Sequence, residues 1–315
     1  MLAGALMTWE LPWETALFAA LGGLLVALLG GTALVLLVRG WAKGLVQKEL
    51  RHFFYSPIAW LTMAGFALVN GFVFLFLVDL YTGTPGEPLV RVFFGTGFFW
   101  VLQLIVIPAI TMRLLAEERS RGTLETLLTA PVRDAEVVFA KFAAALGFYM
   151  VLWLPTVLLL GVALHFAAPE GFWAELWALR ARGLGWPAAA VARASEVMDL
   201  GPVATAYAGT FLMGAAWIAI GLLASALTRN QIVAFIGTFV TLLLLLSVGQ
   251  LELLVPSDPM WFPGLREVLR AVSFSHAFAG FPSGVVDTRA VVWFLSVAAY
   301  ALFLAVRALE SHRWR

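Results

Sequence analysis

Hydrophobic positions in this chain come as long unbroken runs, not as alternations. Seven runs, at about 15–38, 57–79, 92–112, 137–165, 204–227, 231–250 and 289–308, reach the roughly 18–20 residues that cross a bilayer core. A barrel strand would alternate apolar and polar residues, so continuous runs predict helices. The chain therefore reads as an all-α integral membrane protein. Between the runs, "WAKGLVQKELRHFF" (41–54) is amphipathic. Its Trp41, Leu45, Leu50, Phe53 and Phe54 recur at helical spacing, and Lys43, Gln47, Lys48 and Arg51 interrupt them, which predicts a helix lying in the membrane interface. Ser56-Pro57 predicts a turn into the next span. "TGTPGEP" (82–88) reads as a tight loop. The stretch 166–203 reads as a large outer loop, with Phe172, Trp173, Leu176 and Trp177 suited to a helix resting on the outer leaflet, and 251–288 reads as a second external excursion. Pro108 and Pro155 predict kinks in their helices.

Composition strengthens the membrane reading. Hydrophobic residues make up 62% of the chain and charged ones 12%, with mean hydropathy +0.93, where a soluble domain carries about 25% charged residues. The N-terminus lacks a basic leader, and its apolar run is too long for a signal peptide, so it reads as a retained span with the N-terminus outside. On that orientation 13 of the 20 Lys and Arg residues fall on the cytosolic side, as the positive-inside rule requires. An odd number of spans then places the basic C-terminus in the cytosol.

Chemistry-bearing motifs are sparse. No G-x-x-x-x-G-K-[ST] is present to cradle a nucleotide phosphate, no H-E-x-x-H to hold zinc and no G-x-S-x-G elbow. There is no cysteine. An intramembrane enzyme would need clustered acids, histidines or serines within spans, and the runs contain none. No catalytic, metal or cofactor residue is assigned, and nothing points to nucleic acid. Asn70 and Gln103 lie at similar depth in the second and third spans. They either line a path or form an interhelical hydrogen bond, and the bond, worth roughly 0.6–2 kcal/mol, is the favoured reading. Lys141, one turn into its span, reads as a side chain that snorkels to the cytosol. Gly214, Gly221 and Ser225 share one helix face, which suits close packing within the subunit or across a dimer.

The exception to the apolar text is "RLLAEERSRGTLETLLTAPV" (113–132), a charged hairpin between two runs. Thr123 suits the cap of a short helix with Leu124, Leu127 and Leu128 on one face, Pro131 suits its end, and Asp134 suits the cap of the next span. A mere topology signal needs Arg and Lys, not an ordered leucine face.

This hairpin resembles that of ABC-2 type transporter permeases, whose pattern is roughly E-x-x-x-G-T-x-E-x-L-L-x-x-P followed by a Lys. The matching residues are Glu118, Gly122, Thr123, Glu125, Leu127, Leu128, Pro131 and Lys141. The blocks 48–60, 199–235 and 274–314 resemble the gliding-motility-type branch. The resemblance covers about 48–315. It implies a six-span permease core at 57–315, with a coupling hairpin at 113–136, preceded by the interfacial helix (41–56) and by an added leading span (1–40). That makes seven spans in a prokaryotic cytoplasmic membrane. It further implies two paired permeases, identical or homologous, each docked through the hairpin on a separate ABC ATPase subunit that holds ATP and Mg. An auxiliary membrane-anchored extracytoplasmic protein is a further implied partner. On this reading Glu118, Gly122, Thr123, Leu124, Glu125, Leu127, Leu128 and Pro131 form the ATPase-coupling interface. An ATPase-coupled scaffold that transmits force to an external partner, without moving a solute, is the alternative.

Overall fold

In the computed structural model the described residues are 43–81, 89–122, 133–167, 178, 200–254 and 264–313. They are helical, with no strand among them. The interfacial helix is α1 (Lys43–Tyr55). It ends at Ser56, and Pro57, whose missing N–H costs nothing at a first helical position, opens α2 (Pro57–Tyr81). Then come α3 (Leu89–Gly95), α4 (Gly97–Thr111) and α5 (Ala116–Ser120). The next span is split into α6 (Asp134–Leu152) and α7 (Leu154–Ala167). The remainder is α8 (Leu200–Leu227), α9 (Gln231–Leu254), α10 (Leu265–Val272), α11 (Phe274–Phe278), a 3-10 turn at Phe281–Ser283 and α12 (Thr288–Arg313).

Among the described residues six spans are long and apolar enough to cross a membrane: Ala59–Leu77, Gly97–Ser120, Asp134–Gly161, Leu200–Leu227, Gln231–Leu251 and Thr288–Ser311. The protein is a multi-pass membrane protein. The predicted leading span and the outer helix around Trp173 lie outside the described residues.

Helix α8 is the axis of the bundle and packs against α4, α6, α9 and α12. Of its spanning stretch 61% is buried, against 17% for α9, which turns Ile232, Val233, Ile236, Val240 and Leu244 outward. Such faces suit lipid or a second chain, since apolar side chains there meet no water. The glycines of α8 set its closeness. A Cβ at Gly214 would overlap the Tyr149 ring, one at Gly221 would overlap Thr111, and one at Gly209 would overlap Phe281. The Gly214–Gly221–Ser225 face therefore packs within the subunit.

The structure refines the sequence reading at three places. The third run does not start at 92. The chain breaks at Thr96, whose hydroxyl donates to the Phe93 carbonyl (2.8 Å) and accepts from the Phe99 N–H (3.4 Å), so α3 is a separate short helix. A run of apolar residues cannot reveal a break made by one threonine between two glycines. The kink expected at Pro155 is present: the fourth run is interrupted at Trp153, just before this proline, which lacks an N–H to continue the ladder. Finally, part of the excursion 251–288 packs into the bundle. Its Phe274, Phe278 and Phe281 are buried in the core, with Phe278 stacked on Phe99 at 5.2 Å and Phe274 at 6.0 Å from Trp217. Ser273 caps α11 by accepting the His276 N–H, so the backbone of this inserted piece is satisfied locally.

Candidate functional site

The charged end of the bundle is built where α1, α5 and α6 meet. Val46, Glu49 and Phe53 share one face of α1. Val46 packs on Ala140 and Ala143 of α6, and Phe53 stacks on Phe148 at 5.2 Å. Glu49 is thus carried into an apolar contact, where an unpaired carboxylate would be costly. It is paired with Lys141. The Lys141 ammonium lies 3.2 Å from Glu49 and 2.7 Å from Glu118, and so joins α1, α5 and α6 through one cation. Lys141 is 3% exposed, so it does not snorkel. Its alternative to water is two carboxylates, each delivered by another element. Of the two, Glu118 is the more hydrated, at 25% exposed against 11% for Glu49.

A second set of contacts fixes α5 to α8. After Pro108 and Thr111 the backbone turns through residues 112–115, and the first N–H groups of α5 have no helical acceptor. Ser225 of α8 supplies it. Its hydroxyl accepts from Leu115 N (3.1 Å) and Ala116 N (3.0 Å) and donates to the Met112 carbonyl (3.3 Å). Glu117 bridges Arg113 (3.4 Å) and Arg121 (2.7 Å), and Arg113 also donates to Ser56 at 3.3 Å. Gly122 then leaves the helix with φ +70°, a conformation that side chains with a Cβ resist, so glycine at this point of the motif has a backbone reason.

Of the residues assigned to the coupling interface, Glu118 and Gly122 are therefore placed at the root of the hairpin. Thr123, Leu124, Glu125, Leu127, Leu128 and Pro131 lie outside the described residues. Asp134 does not cap α6. It is the first helical residue, and the Glu136 carboxylate accepts the Arg133 N–H (3.0 Å), with both acids at the positive end of the helix dipole. Asn70 and Gln103 are buried but do not meet. Asn70 donates back to the Phe66 carbonyl of its own helix (2.8 Å), whereas Gln103 donates to the Tyr149 hydroxyl across to α6. Equal depth brought neither to the other, since each has its partner elsewhere. The residue that sequence reasoning missed is Glu49. Its signal was available: a lone acid between Val46 and Phe53 on the apolar face of an otherwise basic helix.

These features define a class: a helical multi-pass membrane protein with a charged hairpin braced at one end and no catalytic constellation among the described residues. Residues 78–306 match the sequence profile of the ABC-2 family transporter proteins, and the chain belongs to that family. It is also similar to heme exporter protein B of Rhodobacter capsulatus, with 32% identity over 154 residues, which cover 47% of this chain and 64% of that one.

Proposed function

We propose that this chain is the membrane permease subunit of an ATP-driven transporter, without enzymatic activity of its own. A separate ABC ATPase subunit binds ATP and Mg, and its closure pushes on the hairpin at 113–136. The carrying observation is the Lys141 ion cluster. It ties the hairpin's root to α1 and α6 while Ser225 ties it to α8, so a push at 113–122 moves four elements together. The name of the Rhodobacter relative supports export as the direction, but the cargo is left open because the match spans less than two thirds of that protein. A second permease copy or homologue completes the membrane unit, and an auxiliary extracytoplasmic protein fits the gliding-type resemblance. A second reading, a force transmitter that moves no solute, is favoured by one observation: the described interior is filled with aromatic rings, among them Phe94, Phe99, Trp153 and Phe278.

Co-expression with its ATPase tests the proposal. The pair should co-purify in mild detergent, and hydrolysis should rise when the permease is present. An ATPase that neither binds nor responds would refute it. ATP-dependent solute or lipid movement in proteoliposomes would favour the permease over the force transmitter. Orientation has its own test. With the N-terminus outside, the C-terminus inside and seven spans in the cytoplasmic membrane, cysteines at Thr8 and Ser311 should label from opposite sides. Labelling from one side would remove the leading span from the map.

A further inference from the structure

Beside the Lys141 cluster, α1, α2, α4, α5 and α6 enclose a cleft of about 670 Å³, a size typical of small-ligand sites. Its lining is divided. Phe53, Ala59, Ala109, Ile110, Leu114 and Phe148 form an apolar part, and Lys48, Arg51, His52 and Arg121 are among its polar residues. The acids that line it are already engaged: Glu49 and Glu118 on Lys141, and Glu117 on Arg113 and Arg121. Lys48 and Arg51 are exposed and have no ion pair with any described residue. The cleft thus carries unmatched positive charge above an apolar floor. Tyr55 in its lining and the neighbouring Trp60 and Leu61 are exposed, as suits the boundary between headgroups and acyl chains.

A soluble anion would satisfy the cations and gain nothing from the floor. A neutral lipid would do the reverse. We infer that this cleft binds one anionic phospholipid, with its phosphate at Lys48 and Arg51 and an acyl chain along Ala59, Ala109 and Ile110. Because Glu49 and Lys141 line the same cleft, the bound lipid braces α1 against α5 and α6. This site belongs to the membrane chain itself and does not depend on an ATPase partner.

The test uses the full chain, equilibrated in mixed vesicles of phosphatidylcholine and phosphatidylglycerol and then re-extracted in mild detergent. Retained lipid is measured by mass spectrometry. The wild type should retain phosphatidylglycerol in preference to phosphatidylcholine, and K48E/R51E should lose roughly tenfold of that preference, since each interfacial cation contributes severalfold to anionic lipid binding. K48Q/R51Q, which removes charge without adding acid, should lose it too, and serves if the reversed variant misfolds. Ala109→Phe, which fills the floor and leaves every charge in place, should also lose it while its melting midpoint is held. Equal retention of the two lipids by the wild type would overturn the proposal. So would an Ala109→Phe protein that keeps the preference, because diffuse attraction to a basic surface would then suffice. Displacement of the lipid by inorganic phosphate alone would assign the site to a soluble anion instead.

Discussion

Lys141→Met should destabilise the protein by about 3 kcal/mol, the low end of the range for breaking a buried ion pair. The variant leaves Glu49 and Glu118 facing an apolar side chain with no cation between them. The low end applies because Glu118 keeps some hydration and recovers part of its solvation. The expected result is a clear fall in melting midpoint in detergent, with the spans still inserted. Adding Glu49→Gln and Glu118→Gln to Lys141→Met should recover most of the loss, since a buried ionic cluster exchanged whole for neutral groups is close to balanced. Coupled ATP hydrolysis should not recover with it if the cluster holds α1 and α6 to the hairpin. A Lys141→Met protein that melts like the wild type would mean that the three charges are not joined.

Leu127→Asp should reduce binding of the partner ATPase by a hundredfold or more, and Glu125→Ala by roughly fivefold or less. The proposed contact uses Leu124, Leu127 and Leu128 as buried anchors, with Glu118 and Glu125 on its polar side. Burying a leucine is worth about 1.5–3 kcal/mol, and a carboxylate in its place adds an unpaired charge to an apolar contact. An exposed ion pair contributes about 0–1 kcal/mol, and 1.4 kcal/mol is tenfold in affinity. Binding and stimulated hydrolysis, compared at equal expression, give the answer. A Leu127→Asp chain that inserts and binds its ATPase normally would reduce the hairpin to a topology signal.

The spanning helices were legible because hydrophobic length has few explanations in a chain this apolar. Six of the seven runs correspond to helices whose ends differ from the reading by a few residues or by one break, and the seventh lies outside the described residues. What periodicity could not give was pairing. Lys141 near a span end allows two outcomes, snorkelling or burial, and the choice depends on whether two carboxylates arrive from elsewhere. Glu49 comes from nearly a hundred residues away, so no local pattern announces the meeting. The inserted segment 273–283 was missed for a related reason. Ser, His, Gly and Pro look like a loop, and its aromatic residues become core only because Gly209 leaves room for Phe281. The glycine face of α8 was legible as a packing surface, though its partners, Tyr149 and Thr111, were not. The Glu118–Gly122 spacing was legible through its resemblance to a known motif, and the geometry supplies its reason: an acid for Lys141 and a left-handed exit four residues later.

The aromatic filling of the core has a consequence for the proposed transport. Rings from α3, α4, α11 and the break between α6 and α7 interlock about Phe94, Phe99, Trp153 and Phe278, and dense packing of this kind transmits displacement instead of absorbing it. Around these rings the described part of the chain is filled with side chains. On the proposed permease reading, cargo therefore passes along the outer wall of this packed block, in a seam between two copies, and not through the middle of one chain.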